Sequence, residues 1–258
     1  MNRMPEFSLD DYRQLLQALR GAGYAVRPVR EMALPAKGKT VYLRHDVDFH
    51  LYRADEMAQI DAEEGCGSTF FVLTSGCYNP FLRENREIIE RIAGFGHEVG
   101  LHYDLRDYPV EQDAARRQLD YDVSQIERLS GQPVSSVCMH EPSAGHEDYF
   151  RDADAYVHPH AARFGDGLVY ISDSCRAWRD ETLLSLLETE APERVLLNLH
   201  SELWMAPEVE DRVEYLSLVS AAYAAHFADR YFREYMTRIW QTHEAVRLDE
   251  QRRTRSSD

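Results

Sequence analysis

The chain has 258 residues, 44% of them hydrophobic and 29% charged, and a formal net charge of -16. That length suits one large α/β domain, and the composition is that of an ordinary globular protein. The acidity argues against a general nucleic-acid or anionic-membrane binder, and no apolar run approaches the roughly 20 residues of a membrane span.

The first segment, residues 8–22, predicts an amphipathic helix opened by Ser8 or Asp10. It has no apolar signal core, so a cytoplasmic protein is expected. Cys66, Cys77, Cys138 and Cys175 show no paired metal-type spacing and read as reduced thiols. Apolar runs of strand length then follow at 40–45, 68–74, 97–102, 134–139, 168–172 and 194–199. Helical patterns separate most of them, at 53–64, 84–93, 111–129 and 180–189, with glycines at the helix-to-strand returns. This alternation predicts βαβ units around a parallel sheet, open or closed into a barrel. The Pro- and Gly-rich stretch 141–167 breaks the rhythm and reads as a long functional loop. One domain over 1–258 is expected, with its core at about 38–206 and one or two long helices over 208–250.

The strand ends hold the chemistry. The six runs finish in or just before Asp46 and Asp48, Thr74, His102, His140, Asp173 and His200. In parallel α/β folds all carboxyl ends of strands lie on one face, where ligands bind. Residues two apart on a strand point the same way, so Asp46 and Asp48 enter that cleft together, whereas His45 points away. Two bare carboxylates so close repel. A divalent cation shared with an imidazole removes the conflict, leaving one carboxylate to bind metal and the other free as a base. The plainer reading is a capping Asp followed by a solvated one at a helix start.

Five ordered stretches resemble the polysaccharide deacetylase (NodB-homology) superfamily of carbohydrate esterases: "LRHDVDF", "STFFVLT", "GHEVGLH", "YISDS" and "LLNLH", within about residues 40–204. The resemblance implies a distorted (β/α) barrel of about seven parallel strands and a mononuclear metal, usually zinc. Residue by residue it implies Asp46 as general base, Asp48 and His102 as metal ligands, His200 as the acid that protonates the leaving amine, and Asp173 as an orienting carboxylate. Two positions depart from the family pattern. Arg106 stands where a second ligand His is usual, and the third motif offers His140 in "CMHEPS" where an Arg beside the base is usual. His140 is the economical third ligand, with Asp104 and Asp107 as rivals and His158 and His160 as a further pair whose ordinary reading is surface.

Other residues are weaker candidates. Trp204 and Leu203 read as a pocket wall for an acyl methyl or as core. Arg163, Arg176 and Arg179 read as surface charges or as holders of a sugar nucleotide's phosphate, with Arg179 the substrate-binding choice. The expected function is a metal-dependent removal of N-acetyl or N-formyl from an amino sugar, nucleotide-linked, lipid-linked or soluble, in surface-polysaccharide (lipopolysaccharide) or glycoconjugate synthesis. Two alternatives are a degenerate family member that binds sugar without turnover, and a hydrolase of a non-sugar amide.

Overall fold

The computed structural model describes residues 4–35, 37–141, 147–178, 182–187, 191–205, 208–209, 211–227 and 233–255. The chain divides into two compact units, residues 1–208 and 209–258. The first contains α1 (Leu9–Gly21), β1 (Ala25–Arg27), β2 (Thr40–Val47), α2 (Tyr52–Glu63), β3 (Thr69–Leu73), α3 (Arg83–Gly94), β4 (Glu98–Tyr103), α4 (Gln112–Ser130), β5 (Val137–Met139), β6 (Leu168–Ser172), α5 (Thr182–Ser185) and β7 (Arg194–His200). The second contains α6 (Arg212–Phe227) and α7 (Glu234–Arg255). Among the described residues, no helix is long and apolar enough to cross a membrane.

Local chemistry sets the elements. At the start of α1 the Ser8 hydroxyl accepts from the Asp11 N–H at 3.0 Å, and Asp10 and Asp11 sit at the positive end of the helix dipole. Tyr12, Leu15, Leu16 and Leu19 recur at helical spacing and are buried, each contributing roughly 1.5–3 kcal/mol relative to exposure. Glu111 caps α4 by accepting from Asp113 and Ala114, and Gly131 ends it at φ 70°, a left-handed conformation that glycine adopts freely.

Every strand pairing is parallel, in the order β5–β4–β3–β2–β7–β6, with β1 added beside β2. The sheet curls into a distorted (β/α) barrel of seven strands. β2 is its hub. It pairs with β7 from Thr40 to Asp46 on one edge, and on the other with β1 over Thr40–Tyr42 and then β3 over Arg44–Val47. All eight residues of β2 are buried, which accounts for its unbroken apolar start. The short β1 was not among the expected strands, and β5 is shorter than the run 134–139 suggests. Ser136, before β5, instead bridges Val157 in the irregular segment.

Candidate active site and metal centre

Residues 44, 46 and 48 share one face at the carboxyl end of β2, by strand alternation. The Arg44 guanidinium clasps Asp46 through two bonds, Nε to Oδ1 at 3.0 Å and Nη2 to Oδ2. The same Nε reaches Asn198 Oδ1 on β7 at 2.9 Å, and Nη1 faces His160 Nε2 at 3.2 Å. Arg44 also lies 5.3 Å from the centre of the Phe71 ring. That ring lies across Gly100, its register partner on β4, where an added Cβ would come 2.7 Å from the ring. Burial pushes the Asp46 pKa up, but Arg44, with His102 and His200 beyond it, outweighs burial and holds it down at about 2. The base candidate is therefore fully ionised at neutral pH.

Three donor atoms face one another beside it. Asp48 Oδ1 is 3.5 Å from His102 Nε2 and 3.3 Å from His140 Nδ1, and those two nitrogens are 3.3 Å apart. Ligands about 2.0–2.2 Å from one tetrahedral centre lie about 3.3–3.6 Å from each other, so this triangle has the edges of a tetrahedral face. His102 Nδ1 donates to the Cys138 carbonyl at 2.8 Å, which fixes the tautomer with its Nε2 lone pair toward Asp48. Asp48 Oδ1 is buried without a hydrogen bond of its own. An orphaned carboxylate oxygen between two imidazoles fits a divalent cation. Burial raises the Asp48 carboxyl, yet its contacts with His102 and His140 hold it well below the usual range.

His200 closes the group from β7. Its Nε2 lies 4.0 Å from Asp46 Oδ2 and 3.9 Å from Asp48 Oδ2. Its Nδ1 donates to Asp173 Oδ1 at 2.7 Å, and its backbone N–H also points at that carboxylate. The other oxygen, Asp173 Oδ2, accepts from Trp204 Nε1 at 2.8 Å. Burial lowers the His200 pKa, but the bond to Asp173 and the neighbouring charges of Asp46 and Asp48 raise it well above its ordinary value. These contacts favour the protonated imidazole.

The structure thus brings Asp46, Asp48, His102, His140, Asp173 and His200 together. Of the rival ligands, Asp104 accepts both Arg106 Nε, at 2.9 and 3.0 Å, and the Arg106 backbone N–H, while Asp107 is exposed. Arg106 also reaches Glu141 at 2.8 Å, so the residue in the place of the family's second His ties the ends of β4 and β5 together. Trp204 is buried, with its indole N–H committed to Asp173. Arg163 bonds the Tyr156 carbonyl and Arg176 that of Met205; Arg179 lies outside the described residues.

The surface reading of His158 and His160 needs correction. His158 is buried against Asp148 at 3.2 Å, and Asp148 in turn accepts from Tyr103 at 2.6 Å, which straps the irregular segment to β4. His160 reaches Arg44. The main residue sequence reasoning missed is Arg44 itself. It stands two positions before Asp46, so the alternation that grouped the two acids also places it with them. Glu202 was missed too: it is buried after the His200 strand end, and burial, with the Asp48 charge adding, holds its carboxyl well above the ordinary range.

The chain matches no protein-family model and no curated protein. Among solved structures it is similar to the peptidoglycan deacetylase PdaC from Bacillus subtilis, at 18% identity over 77% of this chain and 98% of that one, TM-score 0.44. It is similar to a chitin deacetylase from Colletotrichum lindemuthianum, at 15% identity over 78% and 86% of the two chains, TM-score 0.40. It also resembles a family 4 carbohydrate esterase (CE4) pseudoenzyme from Bacillus anthracis, at 19% identity and TM-score 0.42, covering 71% of this chain but only 61% of that one. The solved structures this chain is similar to are CE4 proteins, polysaccharide deacetylases and a pseudoenzyme among them.

Proposed function

We propose that this protein is a metal-dependent deacetylase of the polysaccharide deacetylase superfamily, hydrolysing the N-acetyl or N-formyl amide of an amino sugar. The observation that carries the reading is the triangle of Asp48, His102 and His140 donor atoms, set between an arginine-clasped Asp46 and a carboxylate-bound His200. A divalent ion held there, zinc being the family's usual metal, supplies Lewis acidity toward an amide carbonyl and toward water, which offsets the weak basicity of Asp46. Asp46 accepts a proton from the attacking water, whose oxygen forms the new C–O bond. His200 Nε2 gives its proton to the departing nitrogen as the C–N bond breaks, leaving a free amino sugar and acetate or formate. Asp173 and Trp204 keep the imidazole turned toward the cleft.

His140 here does the work of the family's second histidine, and Arg44 that of the arginine beside the base. Both departures are compensated within one cleft, which favours a working enzyme over a binder. Surface-polysaccharide or glycoconjugate synthesis is the setting this substrate class suits. The test is elemental analysis of the purified protein together with acetate and formate release from free, oligomeric and nucleotide-linked N-acyl amino sugars. About one equivalent of a divalent metal is expected, lost in Asp48→Ala and His102→Ala. Sugar binding without turnover, with zinc, cobalt or nickel supplied, would overturn the enzyme reading in favour of the binder; release from non-sugar amides alone would make it a hydrolase of another class.

A further inference from the structure

The carboxylate that holds His200 is followed by backbone that few side chains tolerate. Cys175 and Arg176 sit at φ 60° and 53°, and Phe7, far away in sequence, sits at φ 60°. All three are left-handed positions that favour glycine. Phe7 and Arg176 meet at one ring. Phe7 stacks on Trp178 with centroids 5.7 Å apart and planes at 15°, lies 5.3 Å from the Trp204 ring, and carries the Arg176 guanidinium 5.5 Å from its own centroid. Trp178 Nε1 donates to the Pro5 carbonyl at 3.2 Å, and Arg176 Nη2 to the Met205 carbonyl at 3.2 Å. Tyr12 closes the far side of Trp204 at 5.4 Å. Trp204 is thereby walled in by aromatic rings, with its one polar atom aimed at Asp173.

We propose that Phe7 is a positioning residue for His200: its ring fixes Trp204, whose indole N–H fixes the Asp173 carboxylate, whose Oδ1 fixes the imidazole. This rests on the deacetylase reading for the role of His200. The physical reason is that a carboxylate turns about its own bond unless both oxygens are held. Asp173 Oδ1 is held by His200 Nδ1 and Oδ2 by Trp204 at 2.8 Å, while the His200 backbone N–H is shared between the two oxygens at 3.1 Å each. Loosening the indole leaves Oδ2 only its share of that backbone N–H, so the carboxylate turns more easily, and with it the acid. Misalignment of an acid that acts as the amine leaves lowers kcat and spares substrate affinity.

Phe7→Gly is the informative variant, because glycine occupies φ 60° without strain and only the ring is lost; Phe7→Tyr keeps the ring. Two readouts are taken on the full chain. The first is the proton–nitrogen NMR signal of the Trp204 indole N–H, assigned by Trp178→Phe and Trp240→Phe, together with that of His200 Nδ1–H. The second is kcat and KM for triacetylchitotriose with zinc supplied. In Phe7→Gly the Trp204 indole hydrogen should exchange at least about tenfold faster, the His200 signal should shift, and kcat should fall about tenfold with KM within about twofold. Phe7→Tyr should restore all of these. Unmoved Trp204 and His200 signals in Phe7→Gly would overturn the inference, as would moved signals with unchanged kcat in an active wild type. If wild type turns over no sugar, the deacetylase reading fails while the two NMR signals still decide whether Phe7 holds the relay. Should Phe7→Gly unfold, Phe7→Leu, which keeps bulk without a ring, is read by the same outcomes.

Discussion

Two clusters of aspartate and histidine flank strand β2, one on each face, and they have opposite characters. On the cleft side stand Asp46, Asp48, His102, His140 and His200. On the other side His45 Nε2 lies 3.2 Å from Asp61 Oδ2, and Asp61 accepts from Tyr12 and, at 2.6 Å, from Ser68, which in turn meets His97 Nδ1 at 3.1 Å. Tyr12, His45, Asp61 and Ser68 are all 0% exposed. The buried Asp61 carboxylate takes its hydrogen bonds from the protein itself, and the unpartnered His45 Nδ1 has no set of ligand atoms converging on it among the described residues. In the cleft, an orphaned carboxylate oxygen and two imidazole nitrogens converge, and among the described residues only Asp48, His102 and His140 bring three such donors within 4.8 Å of one another. Residue type does not distinguish a site from a strut. Convergence of several ligand atoms, together with access, does.

The sharpest separation of the two clusters comes from Asp46→Asn. Removing the base should cost about 10²–10⁴-fold in deacetylation rate with the fold and most of the metal content kept. It should come at some cost in melting temperature, because buried Arg44 loses its charge partner, and combining it with His200→Ala should be far from additive. Asp61→Ala should do the reverse. Stripping the partner from a buried polar network should cost about 3–5 kcal/mol in urea denaturation, while the protein that still folds keeps its metal. A folded Asp61→Ala protein without metal would break the distinction.

A smaller effect concerns acid. Burial and the neighbouring Arg44 hold the His160 pKa down at about 3. The unfolded chain takes up a proton near its ordinary pKa of about 6.5, so stability is lost as pH falls below that value toward the folded one. Between about pH 6.5 and 5 wild type should lose up to about 2 kcal/mol more than His160→Gln in denaturant titrations; equal slopes would show that His160 is already accessible to protons. The smallest effect is chemical. Burial pushes the Cys66 and Cys138 thiols up to about 12, one beside each cluster, while Cys77 and Cys175 are exposed. Iodoacetamide should label the exposed pair in the native protein and the buried pair only after unfolding; early labelling of Cys138 would mean that the floor beneath His102 is open.

Much of this was legible in the sequence, for a simple reason. Parallel strands deliver their carboxyl ends to one face, and a period of two sorts each end into in and out, so Asp46, Asp48, His102, His140 and His200 could be gathered without coordinates. The same period applied one step earlier would have gathered Arg44, which a family pattern expecting its arginine on another strand concealed. The irregular segment gave no such handle. Without periodicity nothing marks His158 as buried or turns His160 toward Arg44, and three residues are too few for β1 to show alternation. Phe7 was invisible for a different reason: its contacts with Trp178 and Trp204 span most of the chain, and no local rule joins them.

The absence of a side chain at residue 100 reaches further than packing. The Phe71 ring lies where that side chain would be, and Arg44 rests on Phe71 while clasping Asp46. A methyl at 100 would come 2.7 Å from the ring and 2.8 Å from the Ser136 backbone carbonyl, and any shift of the ring is passed through Arg44 to the Asp46 carboxylate. A smaller residue at 71 would relieve only the first of those clashes, so position 100 should stay glycine whatever stands at 71. A glycine outside the candidate site thus bears on Asp46, with a neighbouring strand as its intermediary.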